Sequence, residues 1–405
     1  MNEIALAGFD LPPLVDPLTL AEDPHASFAA LRSEHPVIRL GEGYYMALRA
    51  HDVLSLLTDP RTKQVEGADF VRLKGIPDGS AARFLADFFL FSNDDTHRAK
   101  RVLFARTFAH GAMRAAREQV RAVADSIVSE LPRGESFDFV ERMAARIPAE
   151  MIARILGLPT REAQYFAPRV YDLARSLAPS YPIADHDQIE AAATELFEYV
   201  EDHLRLRLED SSGDLLSTLA ADWRASQAMP FDSLVHQVVG ILVGGSDTTR
   251  AGFAMLVALL LDRPLEWDAL KANQSLVPGA VAEALRYEPS VGSIGRFTSE
   301  PLEVGGAWLP AGVMISVSTL SASRDPALYA HPDRFDICRT DHPRLHPVFG
   351  LGPHRCIGEM LARIEMEEGL AALVSAAPDI RMEIRPRMYG FGGIRQITPM
   401  QVRIQ

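Results

Sequence analysis

The 405 residues carry 41 Lys and Arg against 54 Asp and Glu, a formal net charge of −13, with 47% hydrophobic and 23% charged residues. Those proportions suit a globular protein and exclude disordered and collagen-like chains, and the acidic balance argues against a nucleic-acid partner, which needs a basic surface to replace counterions on phosphate. Only two cysteines occur, Cys338 and Cys356, so the chain is not a disulfide scaffold.

Met1 to Asp10 lack a basic segment followed by an apolar one, so neither a signal peptide nor a membrane anchor is expected. From residue 10 to 65 Pro-rich connections alternate with short candidate strands, Val37 to Leu40 and Tyr44 to Leu48. Gln64 to Phe91, with Phe70, Phe84, Phe88 and Phe89, reads as a lid over a binding site. Helical signals then dominate, through about 97–108, 112–130, 137–156, 161–177, 187–209, 230–261 and 278–288. Beyond Pro289 strands are predicted at Leu302 to Val304, Trp308 to Leu309 and Val313 to Ser318, with a Gly305-Gly306 turn, and a last pair near 379–385 and 398–404. No linker or repeat divides the chain. The expectation is one domain over 1–405, mainly α with a smaller β region (α+β): α-rich at about 90–290, β-rich at about 35–65, 290–320 and the C-terminus. The longest apolar run, Ala251 to Leu261, is well short of the roughly 18 to 20 residues that span a bilayer. A cytoplasmic protein without membrane contact is expected.

Three places break ordinary patterns. Between Pro230 and Pro264 the chain suits one helix about 45 Å long at 1.5 Å per residue, yet its middle reads Gly244-Gly245-Ser246-Asp247-Thr248-Thr249. Two glycines and four short polar residues cost a helix interior about 3 to 4 kcal/mol. Close helix packing with hydroxyls bonded back to carbonyls is one explanation. The other is a groove: at helical spacing Gly240, Val243, Gly244, Asp247, Thr248 and Ala251 lie along one side, a thin stripe with an acid and an alcohol at its centre. Glu283 and Arg286 form an i, i+3 pair that alone suits a solvated surface. Finally, Phe349-Gly-Leu-Gly-Pro-His-Arg-Cys356-Ile-Gly358 places a thiol just ahead of an amphipathic helix predicted from Ile357 to Ala377. A buried apolar Cys in a capping loop would fit the residue alone. The helix N-terminus also favours an anion, which lowers a thiol pKa and offers thiolate to a metal.

The loop from Phe349 to Gly358 resembles the cysteine-ligand loop of the cytochrome P-450 family, in which Phe, Gly, a basic residue, Cys and Gly recur at the offsets of Phe349, Gly352, His354, Cys356 and Gly358. The central helix is similar to that family's oxygen-activating segment, and Glu283, Arg286 and Arg334 stand in the order of its Glu-x-x-Arg motif and later arginine. The resemblance implies a single-domain fold holding haem b (iron protoporphyrin IX) between the long central helix and the helix after the cysteine loop, with Cys356 as iron ligand. It implies that His97, Arg101, Arg296 and His354 neutralise the haem carboxylates, although Asp94-Asp95 replaces the usual Pro-Pro ahead of His97. Thr248 would hydrogen-bond the dioxygen this family activates, Asp247 would couple it to solvent protons, and Glu283, Arg286 and Arg334 would form a structural ion network. By position, Gly240, Val243, Gly244, Gly292, Ile294, Phe391 and Ile394 would meet the substrate. The activity implied is insertion of one oxygen atom of O2 into a small to medium, largely apolar organic molecule. Arg72 or Lys74 are further candidates for a substrate carboxylate. Two cysteines cannot hold an iron–sulfur cluster, so electrons must come from another protein, a ferredoxin with its NAD(P)H-linked reductase, docking on Arg106, Arg114, Arg117, Arg344 and Arg355. A peroxide-driven haem-thiolate enzyme would not need the acid–alcohol pair, and a haem sensor would not need the groove.

Overall fold

A computed structural model describes residues 11–178, 180–343 and 345–405. The reading of Met1 to Asp10 as free of targeting signals, and Arg344, lie outside the described residues.

Among the described residues the architecture is helical with four small sheets. Strands β1 (Val37–Gly41), β2 (Tyr44–Ala47) and β3 (Thr62–Lys63) come from the N-terminal part. After them come β4 (Ser136–Asp138), β5 (Ile294–Thr298), β6 (Leu302–Val304), β7 (Ala307–Leu309) and β8 (Met314–Val317), and the C-terminal β9 (Arg381–Ile384), β10 (Met388–Tyr389), β11 (Gln396–Ile397) and β12 (Gln401–Arg403). The largest sheet has the order β1-β2-β8-β5-β3, so strands more than 200 residues apart share one surface. In β5 the period of two sends Ile294 and Arg296 to the same face. Gly305 and Gly306, at φ 55° and 87°, take the left-handed conformation that the tight β6–β7 hairpin requires.

The central helix runs unbroken from Phe231 to Leu261 despite its costly middle. Tertiary burial outweighs propensity here: nearly every side chain outside the glycine and threonine positions is buried, against the helices Arg146–Leu156, Ala163–Ala174, His186–Glu209, Val277–Tyr287 and Glu359–Ala376. The helix predicted over Ile357 to Ala377 spans Glu359–Ala376 and buries Leu361, Ile364, Leu370 and Leu373.

Two expectations fail for identifiable reasons. The N-terminal stretch read as connections contains the helices Pro17–Glu22 and Pro24–Glu34, and a further helix, Pro264–Ala272, follows the central one. Each begins on its proline, which lacks an N–H that the first helical turn leaves unpaired anyway. Asp16 and Asp23 cap the first two by accepting from the N–H groups of Leu18 and Ala26. The segment 137–156 is not one helix: β4 pairs with β12, a π-helical turn follows at Val140–Ala144, and the α-helix starts only at Arg146.

Candidate active site

Between the central helix and the Cys356 loop lies a cavity of about 370 Å³. The loop is shaped by Gly350 and Gly352, both left-handed at φ 68° and 70°. It is closed by the Cys356 N–H donating to Phe349 O at 2.8 Å, by Arg355 Nη1 donating to Gly350 O at 2.8 Å, and by Arg101 Nη2 donating to Arg355 O at 2.7 Å. Phe349, His354, Cys356 and Gly358 all line the cavity. The surface that Cys356 leaves uncovered faces this interior space, so the sulfur is accessible to a bound group while lying deep in the protein.

Cys356 precedes the first helical residue, Glu359, by a loop turn, and the helix end does not lower its pKa as expected. Burial pushes the thiol up, outweighing the Gly358 N–H, while the Glu359 carboxylate pushes the same way. A metal cation, rather than the helix dipole, would be needed to hold this sulfur as thiolate.

Basic groups converge on the same cavity. His97 and Arg296 are 2% and 3% exposed, and Arg101, Arg296 and His354 line the cavity wall. The rings of His97 and His354 lie against each other with centroids 4.0 Å apart and planes tilted by 34°. Burial, followed by the charge of neighbouring basic groups, lowers His97 to about 4 and His354 to about 3. Burial alone brings Arg296 down to about 10. His97 Nε2 is buried without a partner, and Arg296 Nη1 donates only to a neutral group, Gln64 Oε1, at 2.7 Å. Arg101 and Arg296 make this wall positive and the two neutral imidazoles add hydrogen-bonding nitrogens, a lining that suits an anion.

On the central helix, Gly240, Val243, Gly244 and Thr248 line the cavity as expected, together with Gly245 and Thr249. A Cβ at Gly244 would meet nothing within 4 Å, so that turn is open to a large group. Thr248 Oγ1 donates to Gly244 O at 3.2 Å. Asp247 departs from the predicted stripe. It is 1% exposed and turned out of the cavity: its Oδ1 accepts from Arg250 Nε at 3.0 Å, and its Oδ2 from Gln396 Nε2 at 3.1 Å. The cation one turn along the helix draws the carboxylate to the far edge of the stripe. Ala251 is likewise buried against neighbouring helices.

The remaining wall is aromatic. The stretch read as a lid folds into the helices Gly67–Lys74 and Ser80–Asp87 and a turn at Phe89–Phe91. Phe70, Phe88, Phe89 and Phe91 line the cavity, whereas Phe84 lies behind, stacked on Phe88 at 5.2 Å. Ile294 and Ile394 also line it. Gly292 and Phe391 do not: they pack on each other, a Cβ at Gly292 falling 2.7 Å from Phe391 O, and Phe391 turns its ring to Phe28. Glu365 lines the cavity and was not anticipated, because its place among the charges of an amphipathic helix reads as solvent-facing.

Glu283 and Arg286 are both fully buried, Arg286 donating to the two carboxylate oxygens at 2.7 and 2.8 Å. The third arginine is Arg339, not Arg334. Arg339 Nε donates to Glu283 Oε2 at 3.1 Å with 6% of its side chain exposed, while Arg334 is 70% exposed and faces Asp336. Arg334 contributes its backbone carbonyl, which accepts from Arg286 Nη2 at 3.0 Å.

Residues 22–376 match the family model for cytochrome P450. The chain belongs to the cytochrome P450 family. It is 37% identical over 387 residues to the plant-inducible cytochrome P450-pinF1 of Rhizobium radiobacter, covering 95% of this chain and 91% of that protein. It is 32% identical to nocardicin C N-oxygenase of Nocardia uniformis subsp. tsuyamanensis, with 92% of each chain covered. Among solved structures it is similar to the P450 enzyme CxnD, at TM-score 0.86, 26% identity and 97% coverage of both chains. It is also similar to the myxobacterial cytochrome P450 CYP267B1, at TM-score 0.84, 28% identity, 96% of this chain and 98% of that one. As a P450 the chain is a haem-dependent monooxygenase that acts on small molecules with O2 and a redox partner. Among the described residues no helix is long and apolar enough to cross a membrane.

Proposed function

We infer that this P450 inserts one oxygen atom of O2 into an uncharged, largely apolar organic substrate that an aromatic wall can hold. The carrying observation is the composition of that wall: Phe70, Phe88, Phe89 and Phe91, with Val243 and Ile394, surround the space beside Gly244. Arg72, which pairs with Asp69 at 2.8 Å, and Lys74, which lies over the Phe70 ring, do not line the cavity, so nothing supports the alternative of a substrate carboxylate held by either.

The residues present fit a haem group. Cys356 Sγ would take its iron, Arg101 and Arg296 would neutralise its carboxylates, and the neutral rings of His97 and His354 would hydrogen-bond them, which gives the orphaned His97 Nε2 a partner. The opening at Gly244 would clear the ring face. Bound haem supplies the activation of dioxygen. The protein's share is to hold a hydroxyl, Thr248 Oγ1, inside a cavity from which the phenylalanines exclude bulk water. That hydroxyl favours the O2-dependent cycle over a peroxide-driven one. We take the whole chain as a single catalytic domain working in the cytoplasm.

The test is optical titration of the purified holoenzyme against a panel of neutral aromatic, terpenoid and carboxylate compounds. Displacement of the haem band by neutral members and not by carboxylates is expected; preference for carboxylates overturns the substrate class. Gly240→Ala sharpens it. The added Cβ would fall 2.1 Å from Phe88 Cε2, forcing the ring toward the cavity. Overpacking of about 1 to 3 kcal/mol should weaken bulky ligands about tenfold or more while small ones bind as before.

Electrons come, in this reading, from an acidic ferredoxin served by an NAD(P)H-linked reductase. Of the five arginines expected to dock it, Arg117 is bound to Glu367 and Glu368 at 2.6 Å each and Arg355 to Glu359. Arg106, one turn beyond the exposed Val102 at the end of the helix whose Arg101 grips the cysteine loop, and Arg114 remain exposed. Reversing both charges, Arg106→Glu with Arg114→Glu, should slow reduction about tenfold at low salt and flatten its salt dependence. An unchanged rate rejects this face.

A further inference from the structure

The aromatic wall is a partition between two cavities. Phe88 lines the main one, and its ring stacks on Phe84 at 5.2 Å with the planes 20° apart. Phe84 lines a second cavity of about 320 Å³, which Phe197, His236 and Val239 also border. On the central helix the consecutive residues Val239 and Gly240 face the two spaces in turn. A side chain in a dense core is held by neighbours on every side. Two rings with open space before and behind them need another restraint.

Polar contacts to the backbone on both sides of Phe88 supply it. Gln237 is fully buried on the central helix. Its Oε1 accepts from the Phe89 N–H at 2.8 Å, and its Nε2 donates to Asp87 O at 3.0 Å and to Ser233 O at 2.9 Å. One amide thus grips the residue before Phe88 and the residue after it. The ring between them lies over Gly240, where a Cβ would fall 2.1 Å from Phe88 Cε2. Gln237 and Gly240 are i and i+3 on one helix face, so together they form a seat: the amide fixes the backbone and the absent side chain receives the ring. Lys100 Nζ closes the outer side, donating to Asp87 O and Oδ1 at 2.5 and 2.7 Å, and His236 Nδ1 meets Asp87 Oδ2 at 3.1 Å. Both reach Asp87 only, whereas Gln237 spans the ring's attachment.

We propose that Gln237 is a specificity-determining positioning residue of this P450: by pinning the backbone on both sides of Phe88 it keeps the partition closed and bars ligands too bulky for the main cavity. This deepens the monooxygenase reading and rests on it. Without the pin, Phe88 and Phe84 can turn into the second cavity, and the ligand space lengthens past Val239.

The experiment titrates holoenzyme optically with two azoles that ligate haem iron, imidazole as the small probe and econazole as the bulky one. Wild type, Gln237→Met, Phe88→Ala and the double variant are compared. Gln237→Met keeps the length of the side chain and deletes its hydrogen bonds. It should tighten econazole relative to imidazole about tenfold, with haem content and the thiolate-type carbon monoxide difference band as in wild type. Phe88→Ala should shift the ratio the same way. Gln237→Met added to it should change nothing further, because the ring through which the amide acts is gone; a general loosening of the fold would add in both backgrounds. An unchanged ratio in Gln237→Met, or full addition in the double variant, overturns the proposal and leaves the monooxygenase function standing. A wild-type holoenzyme without the thiolate-type band would overturn that function instead. Should Gln237→Met fail to fold, Gln237→Asn, whose amide stops one methylene short of the Phe89 N–H, takes its place with the same deciding outcomes.

Discussion

Changing Cys356 to serine should erase the thiolate-type carbon monoxide difference band and reduce turnover by about a thousandfold or more, about 4 kcal/mol of transition-state stabilisation at 1.36 kcal/mol per tenfold. The substitution is mild for the fold. Its oxygen can accept from the Gly358 N–H in place of sulfur, and the loop keeps the hydrogen bonds of Cys356 N, Arg355 and Arg101. What it removes is the soft sulfur that, in the proposed reading, would hold the haem iron and whose electron donation would favour O–O cleavage. Cys338 provides the control, being exposed in a separate loop where its N–H donates to Asp336. Cys338→Ser should leave band and turnover unchanged. A Cys356→Ser protein that retained the thiolate-type band would require another ligand and would sink the assignment.

How far the sequence carried the site depends on how local each determinant is. The cysteine loop is written in ten consecutive residues, and its glycines are needed for backbone reasons that any sequence displays. The position of Asp247 is not local: it is set by Arg250 one turn away and by Gln396, 149 residues further on. Helical spacing gives the stripe but not which edge residue a distant partner claims. Arg334 and Arg339 lie five residues apart in an irregular loop, where no periodicity says which side chain turns inward. Glu365 was hidden for the opposite reason. It sits near Glu367 and Glu368, which do meet Arg117 near the surface, so one buried acid looked like part of a solvated face. The prolines at 17, 24 and 264 show the same ambiguity in the fold, since a helix breaker and a helix first residue are one amino acid.

The Arg334 correction carries the second large effect. Glu283→Ala would leave Arg286 fully buried without its carboxylate and Arg339 with Asp341 alone, and would strip the acceptor from the Asp336 N–H at 2.8 Å. Breaking a buried pair from one side costs about 3 to 5 kcal/mol, because the remaining charge is left uncompensated. The loss would not stay local. Arg286 also donates to the carbonyls of Ser323, Pro332 and Arg334, at 3.0, 2.7 and 3.0 Å, tying the segment ahead of the cysteine loop to the helix Val277–Tyr287. Haem retention should therefore fall together with the urea midpoint. Arg339→Ala removes one of the two cations facing Glu283 and should cost less, about 1 to 3 kcal/mol. Arg334→Ala keeps the backbone carbonyl and deletes only an exposed side chain, so its effect should stay within about 0.5 kcal/mol. Unfolding curves and haem content of the three variants order them, and an Arg334→Ala protein as unstable as Arg339→Ala would return the third place in the network to Arg334.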